Sequence, residues 1–290
     1  MSCILCSNKQ FTFIAPRIRD SKTHKIVKCK RCSLVQLSPT PTAEEDRKFY
    51  NGGRQFKNIA EPTQIKKLET NQKDDTRRRA QLLGGLLRPK SAVLDIGSGF
   101  GFFLEAMRKA GLRPEGIEVS RFAREISKKV TSVKVHDIDL FSQTLERKFD
   151  AISLFHVIEH IAQPVEFLRR VSQMLKKSGK MVIEVPSLDD ALLATCPPYR
   201  AFYWQRAHLA YYNAQTLRKV LKRAGLKVKK SLYVQRYSLQ NLMQWMIKGE
   251  PQLQQPTFAA KSYGWLETFY KNQLSKQKQT DTLIIITQLS

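Results

Sequence analysis

The run Val93-Leu94-Asp95-Ile96-Gly97-Ser98-Gly99-Phe100-Gly101 constrains this chain more than any other. Its first half reads as a buried strand. Its second half alternates glycines and opens into Phe102-Phe103-Leu104-Glu105-Ala106-Met107, a helical stretch stopped by Gly111. A strand that turns through glycines into a helix belongs to an α/β sheet. Its C-terminal end is where backbone can approach a ligand and where helix N–H groups remain to bind one.

Strand and helix alternate from residue 91. Strands are expected at 92–96, 115–119, 133–135, 149–155 and 180–185, with helices over 102–110, 120–129 and 164–177. Repeated strand–helix units build a parallel sheet with helices on both faces. Beyond Pro186 the alternation loosens. Residues 187–212 read as an insertion dense in Tyr and Trp, and Asn213 caps a helix that Gly225 stops. A basic strand at 226–237, helical additions over 238–279 and a closing strand at 283–287 complete a domain over 91–290.

Four of the five cysteines stand ahead of this domain, as Cys3-Ile4-Leu5-Cys6 and Cys29-Lys30-Arg31-Cys32 with 22 residues between them. Residues 11–14 and 24–28 suit a short hairpin. The opening residues lack the charged and long apolar regions of a secretion signal, so the pattern reads as metal binding before disulfides. Four thiolates in two knuckles close a tetrahedral zinc shell, and so small a unit needs such a staple. Residues 1–38 are therefore read as a zinc ribbon held by Cys3, Cys6, Cys29 and Cys32. Cys196 reads as a buried thiol. Residues 39–90 read as a helical connector, with a helix start at Thr42 and a second helix over about 63–87.

The chain is 42% hydrophobic, which supports a packed core and excludes a disordered chain. No apolar run approaches the roughly 20 residues of a membrane helix. A soluble cytoplasmic protein is expected. The net charge is +25, unevenly placed: residues 1–90 hold 20 basic against 8 acidic side chains, 91–190 hold 15 against 14, and 191–290 hold 15 against 3. Basic flanks suggest an anionic partner, whether nucleic acid, a phosphorylated small molecule or peripheral contact with a membrane. A solvated surface explains them equally. The run Arg218, Lys219, Lys222, Arg223, Lys227, Lys229 and Lys230 carries the same two readings.

The glycine spacing is G-x-G-x-G, whereas a dinucleotide fingerprint needs G-x-G-x-x-G; Phe102 occupies the place of its third glycine. No Gly-Lys-Ser/Thr follows, so a P-loop is excluded. Glu118 ends the next strand, where a carboxylate can accept hydrogen bonds from ribose hydroxyls. His156, Glu159 and His160 fall at i, i+3 and i+4, on one face of a helical turn at the fourth strand's C-terminal edge.

The glycine run with Asp95, Glu118, Phe149-Asp150-Ala151-Ile152, Phe155-His156-Val157-Ile158-Glu159-His160-Ile161, Val185-Pro186-Ser187 and His208-Leu209 with Tyr212 resembles the class I S-adenosylmethionine-dependent methyltransferases over about 91–230. The N-terminal unit is similar to the zinc-binding segment that precedes some of them, with Ser33 where a glycine is usual. The resemblance implies a Rossmann-like seven-stranded sheet with helices on both faces, plus the ribbon. It implies that Gly97, Ser98, Gly99 and Gly101 shape the methionine end of the cofactor pocket and that Asp95 reaches the amino group. Glu118, with Val119 beside it, would hold the ribose. Asp137 would meet the adenine amino group, with Asp139 as its rival and Ile138 on the ring. Phe155 and His156 would lie beside the methionine part.

A sulfonium is already activated, so methyl transfer needs mainly proximity and alignment; an oxygen or nitrogen nucleophile also needs a base. His156, Glu159, His160 and His208 are the candidates. Ubiquinone-pathway O-methyltransferases and small-RNA 2′-O-methyltransferases have a similar Glu-x-x-Glu-His and a later histidine that bind a divalent metal. Here His156 replaces the first glutamate. The set therefore admits a second divalent cation, better zinc, manganese or iron than magnesium, or else a turn that only packs. Tyr199, Phe202, Tyr203, Trp204, Tyr211 and Tyr212 suit either a lid over substrate or core packing. The expectation is a methyltransferase acting on a small or carrier-linked anionic metabolite, for example a sugar nucleotide, with O-, N- or C-methylation open. One alternative is an RNA methyltransferase, which ribbon and basic flanks fit. Against it, the fourth strand lacks the Asn/Asp-Pro-Pro-Tyr of amino-group base methylases. The other is a non-catalytic cofactor-binding scaffold. The sequence is silent on oligomeric state.

Overall fold

A computed structural model of the chain describes residues 2–42, 45, 62–251 and 263–290. The expected hairpin is β1 (Phe11–Ala15) paired antiparallel with β2 (Lys25–Cys29), and β3 (Val35–Ser38) extends it. The helix start expected near Thr42 lies largely outside the described residues; within them, the Thr42 hydroxyl donates to Glu45 Oε2 at 3.0 Å. Helix α1 (Pro62–Gly84) follows.

The large sheet begins with β4 (Ala92–Ile96), buried along its whole length, as a central strand covered on both faces must be. It is followed by α2 (Phe102–Lys109), β5 (Arg113–Ile117), α3 (Arg121–Val130), β6 (Val135–His136), β7 (Phe149–Phe155), α4 (Pro164–Gln173) and β8 (Leu175–Pro186). Short helices α5 (Ala191–Thr195) and α6 (Pro197–Tyr203) and strand β9 (Ala210–Tyr211) occupy the insertion. Then come α7 (Ala214–Arg223), β10 (Leu226–Val234), α8 (Leu239–Lys248), α9 (Gly264–Gln277) and β11 (Thr282–Leu289). The seven strands lie in the order β10-β11-β8-β7-β4-β5-β6. All neighbours are parallel except β11, which runs antiparallel between β8 and β10. The chain builds β4-β5-β6 outward on one side and returns to β7 on the other. The crevice between β4 and β7 is thus a topological switch point, the place where such sheets bind ligands.

Two sequence expectations shift. The helix expected to 177 ends at Gln173, because Leu175 is drawn into the core opposite Phe149 and starts β8 five residues early. Helix α7 behaves as expected: Asn213 and Thr216 form a reciprocal capping box, and Gly225 at φ +81° ends it.

The insertion does not close over the cavity described below. Tyr199, Tyr203, Trp204 and Tyr211 are buried with Trp245, Ile26 and Leu37, so these four aromatics are core, filling the space between the ribbon and α8 (Leu239–Lys248), while Phe202 is exposed. Strand β9 joins β3 antiparallel, which makes the small sheet four-stranded, β1-β2-β3-β9. Cys196 is buried in the same cluster. On α7, Lys219 donates to the Cys32 carbonyl at 2.9 Å and Arg223 to the Leu5 carbonyl. Two residues of the basic run therefore tether the ribbon.

Candidate active site

A cavity of about 1160 Å³ opens at the C-terminal ends of β4, β5 and β7. Its floor is the glycine loop. A Cβ at Gly97, where φ is +71°, would stand 2.7 Å from Val157 Cγ2. At Gly99, where φ is +53°, no atom lies within 4 Å of such a Cβ. Gly97 is dictated by the protein's own packing, whereas Gly99 is dictated by its left-handed backbone and faces the cavity. Gly101 is outside the wall; its missing side chain lets Ser127 of α3 approach.

Asp95, Ser98, Glu118, Val119, Phe155 and His156 all line the cavity. Glu118 is held from two sides: Gly99 N–H donates to Oε2 at 2.9 Å and Ser120 N–H to Oε1 at 2.8 Å. Asp95 is 4% exposed, and burial pushes its pKa up to about 7, against the opposing effect of the Ser153 hydroxyl that donates to Oδ1 at 2.6 Å. Asp137 and Ile138 are not brought to this cavity. Asp137 pairs with Arg124 at 2.5 Å beside a neighbouring pocket, and Ile138 packs on the main core. Asp139 lines the cavity instead.

The opposite wall was not legible in the sequence. Helix α1, read as a connector, contributes Gln72, Asp75, Thr76 and Arg79, and the residues after β10 contribute Arg236. Glu184, fully buried on β8, accepts from Arg78 at 2.8 Å and Arg79 at 2.6 Å. Asp75 accepts from Arg78 at 2.9 Å and from Arg236 Nε at 2.9 Å. Arg236 Nη1 also lies 3.0 Å from His156 Nε2. Glu184 Oε1 lies 3.3 Å from the same nitrogen and Glu159 Oε1 3.2 Å from Nδ1, and against burial these two carboxylates raise the pKa of His156. His156 is held at φ +57° and has both nitrogens engaged. Its alternating charges are invisible in sequence because they are separated by up to 161 residues.

Residues 158–160 form a single 3-10 turn after β7. Glu159, His160 and His208 come together there, each offering a ligand atom within 4.8 Å of the others, and His156 is outside this group. Glu159 is 1% exposed and its Oε2 has no hydrogen-bond partner. Despite desolvation, the His156 hydrogen bond and the nearby His160 hold its pKa down to about 2. His160 Nδ1 donates to the Ala207 carbonyl at 2.7 Å, which puts the lone pair of the neutral ring on Nε2. Burial, with His160 beside it, pushes His208 down to about 3, so it is neutral at physiological pH. His160 lines the cavity, whereas Glu159 and His208 stand behind it. The segment is hung on the ribbon: Leu37 N–H donates to the Leu209 carbonyl at 3.1 Å, and Leu209 N–H to the Glu159 carbonyl at 2.8 Å.

The four N-terminal cysteines converge. Cys3 and Cys32 sulfurs lie 3.5 Å apart, Cys6 and Cys29 sulfurs 3.6 Å, and all four within 4.8 Å. A tetrahedron with Zn–S of about 2.3 Å has edges of about 3.8 Å, so the donor set fits zinc. Each knuckle closes through a left-handed residue, Ser7 at φ +58° and Ser33 at φ +67°, whose N–H donates to the carbonyl of Cys3 or Cys29. That conformation is the reason a glycine is usual at the second position.

The strand order with one reversed strand, and a glycine loop at the switch point, define the fold of the class I S-adenosylmethionine-dependent methyltransferases. The chain belongs to the methyltransferase domain family, whose model matches residues 68–231. It is 31% identical over 104 residues to the mitochondrial ubiquinone biosynthesis O-methyltransferase of Schizosaccharomyces pombe, covering 33% of this chain and 38% of that one. It is 27% identical over 124 residues to the ubiquinone biosynthesis O-methyltransferase of Xanthomonas axonopodis pv. citri, covering 40% and 52%. The chain thus spans about half or less of these curated relatives, 38% and 52% of their lengths. Among solved structures, a chain from the complex of a Haloferax volcanii methyltransferase with a methyltransferase activator aligns at TM-score 0.53 and 15% identity, over 83% of this chain and 97% of that one. An S-adenosylmethionine-dependent methyltransferase from Thermotoga maritima aligns at TM-score 0.50 and 15% identity, over 78% and 94%. These two speak for the fold. No helix among the described residues is long and apolar enough to cross a membrane.

Proposed function

We propose that this protein transfers the methyl group of S-adenosylmethionine to a hydroxyl oxygen of a small or carrier-linked anionic metabolite. The observation that carries it is the pairing of Gly99, open above its Cα, with Glu118, whose carboxylate is aimed by Gly99 and Ser120, over a cavity of about 1160 Å³. When bound there, the cofactor supplies an activated methyl group. Glu118 holds the ribose, Asp95 faces the amino group and Asp139 faces the adenine side. The ubiquinone-pathway relatives are named for O-methylation, which supports oxygen as the acceptor. Substrate enters against α1 and Arg236. His160 is the base: its Nε2 takes the hydroxyl proton while the Ala207 carbonyl holds the other nitrogen. His156, with both nitrogens engaged, orients Glu159 instead. The structural test is His160→Asn. It is expected to lower kcat about 100-fold with cofactor affinity unchanged; equal turnover would remove His160 from the chemistry.

A second reading of the same three residues rests on the orphaned Glu159 Oε2. Glu159, His160 and His208 would hold a divalent cation, which would polarise the acceptor oxygen. Metal analysis decides between them: one metal per chain leaves His160 as a base, two assign it as a ligand.

Asp95 makes cofactor binding pH-dependent. Its pKa of about 7 in the free protein lies above the ordinary carboxylate range, so folding alone takes up a proton and stability falls as pH rises from about 4 to 7. A cationic amino group beside Asp95 favours the charged form. Binding below pH 7 therefore releases a proton, and affinity rises with pH and levels off above about 7. Calorimetry in buffers of different ionisation enthalpy measures that proton. Its persistence in Asp95→Asn would assign it elsewhere.

A further inference from the structure

We propose that helices α8 and α9 form a docking surface for an anionic lipid bilayer. On α8, Met243, Met246 and Ile247 fall at i, i+3 and i+4, and the last two are 70% and 74% exposed. The opposite face of the same helix is anchored by Trp245, packed edge-on against Tyr199 at 5.2 Å. On α9, Trp265 and Phe269 stand one turn apart, 69% and 56% exposed, and no residue of this helix is buried. The two helices are joined: Glu267 of α9 accepts the Leu239 N–H of α8 at 2.9 Å. Ser275 ties α9 to the Tyr233 carbonyl of β10 at 2.8 Å. Aliphatic and aromatic side chains on a supported helix surface are what an interfacial membrane contact needs.

Charge selects the occupant. Residues 191–290 carry 15 basic against 3 acidic side chains. Of those acids, Asp281 is buried, Glu267 is paired with Lys271 at 3.0 Å, and Glu250 is exposed just beyond α8. Lys248 in the last turn of α8, and Lys276 and Lys278 at the end of α9, are exposed. At a net charge of +25 two copies of the chain repel each other, whereas lipid phosphates attract it. Arg236, in the cavity wall, precedes α8 by three residues, so docking brings the cavity beside the bilayer.

The protein carries its own reporter. Of its three tryptophans, Trp204 and Trp245 are buried and Trp265 alone is exposed. Mixed with vesicles of phosphatidylcholine containing about a quarter phosphatidylglycerol, the protein is expected to co-sediment and its emission to shift blue; pure phosphatidylcholine does neither. Met246→Glu with Ile247→Glu lowers the partition coefficient about tenfold or more, with melting temperature unchanged. Three results overturn the proposal: adsorption with no blue shift and no effect of the double variant, no vesicle binding with a dimer in ultracentrifugation, or a Trp265 response to single-stranded RNA and none to vesicles. The proposal does not depend on methyl transfer. Cofactor binding measured on the same samples separates its failure from failure of the catalytic reading.

Discussion

Cys29→Ser is expected to release the metal, to lower the melting temperature of the whole protein by about 10 °C, and to abolish methyl transfer. A detachable ribbon would give only the first effect. Cys3, Cys29, Cys32 and Leu34 share one apolar cluster with Val185 of β8 and with Leu217 and Leu221 of α7, so three of the four thiols sit inside the main core. Strand β3 pairs with β9 and, through Leu37, Leu209 and Glu159, holds the backbone of the His160–His208 site. Without metal, burial pushes the Cys3 thiol well above the ordinary range and Cys32 up to about 11, whereas the Cys32 and Arg31 N–H groups, acting against burial, lower Cys29 to about 6. Elemental analysis, calorimetry and turnover on one preparation check all three effects. Loss of metal with melting temperature and turnover intact would reduce the ribbon to an appendage.

Glu118→Ala is expected to weaken S-adenosylmethionine binding by about 10²- to 10⁴-fold. Two hydrogen bonds to a charged carboxylate are worth about 1.5–3 kcal/mol each. The variant also frees the Gly99 and Ser120 N–H groups that Glu118 now orients. Glu118→Gln keeps one acceptor oxygen and should fall between. Glu118 is half-buried on the cavity wall and outside the core clusters, so melting temperature without cofactor should move little. Unchanged affinity would place the cofactor somewhere other than this cavity.

How much was legible follows from the range of each interaction. The sheet was legible because strand–helix alternation and the glycine loop are local patterns that a buried parallel sheet imposes. The cysteine cluster was legible because a knuckle spans four residues and two such knuckles are the usual way to gather four thiols. Asp137 and Asp139 differ by two positions, and only the fold says which one turns inward. The aromatic insertion carried no period, so lid and core could not be told apart until its side chains were seen against the ribbon.

Sequence alone thus determined the class of fold, the glycine loop at its switch point, the place of Glu118 at the end of the next strand and the four clustered thiols. Tertiary structure decided three things: that α1 is a wall of the cavity, that His156 is bound into an ionic network with Asp75, Arg236 and Glu184, and that the ribbon and insertion share one sheet. The reason is physical. A residue's backbone environment is written within a few neighbours, but a buried charge is stabilised by whichever opposite charge the fold brings near it. Here those partners lie up to 161 residues away along the chain.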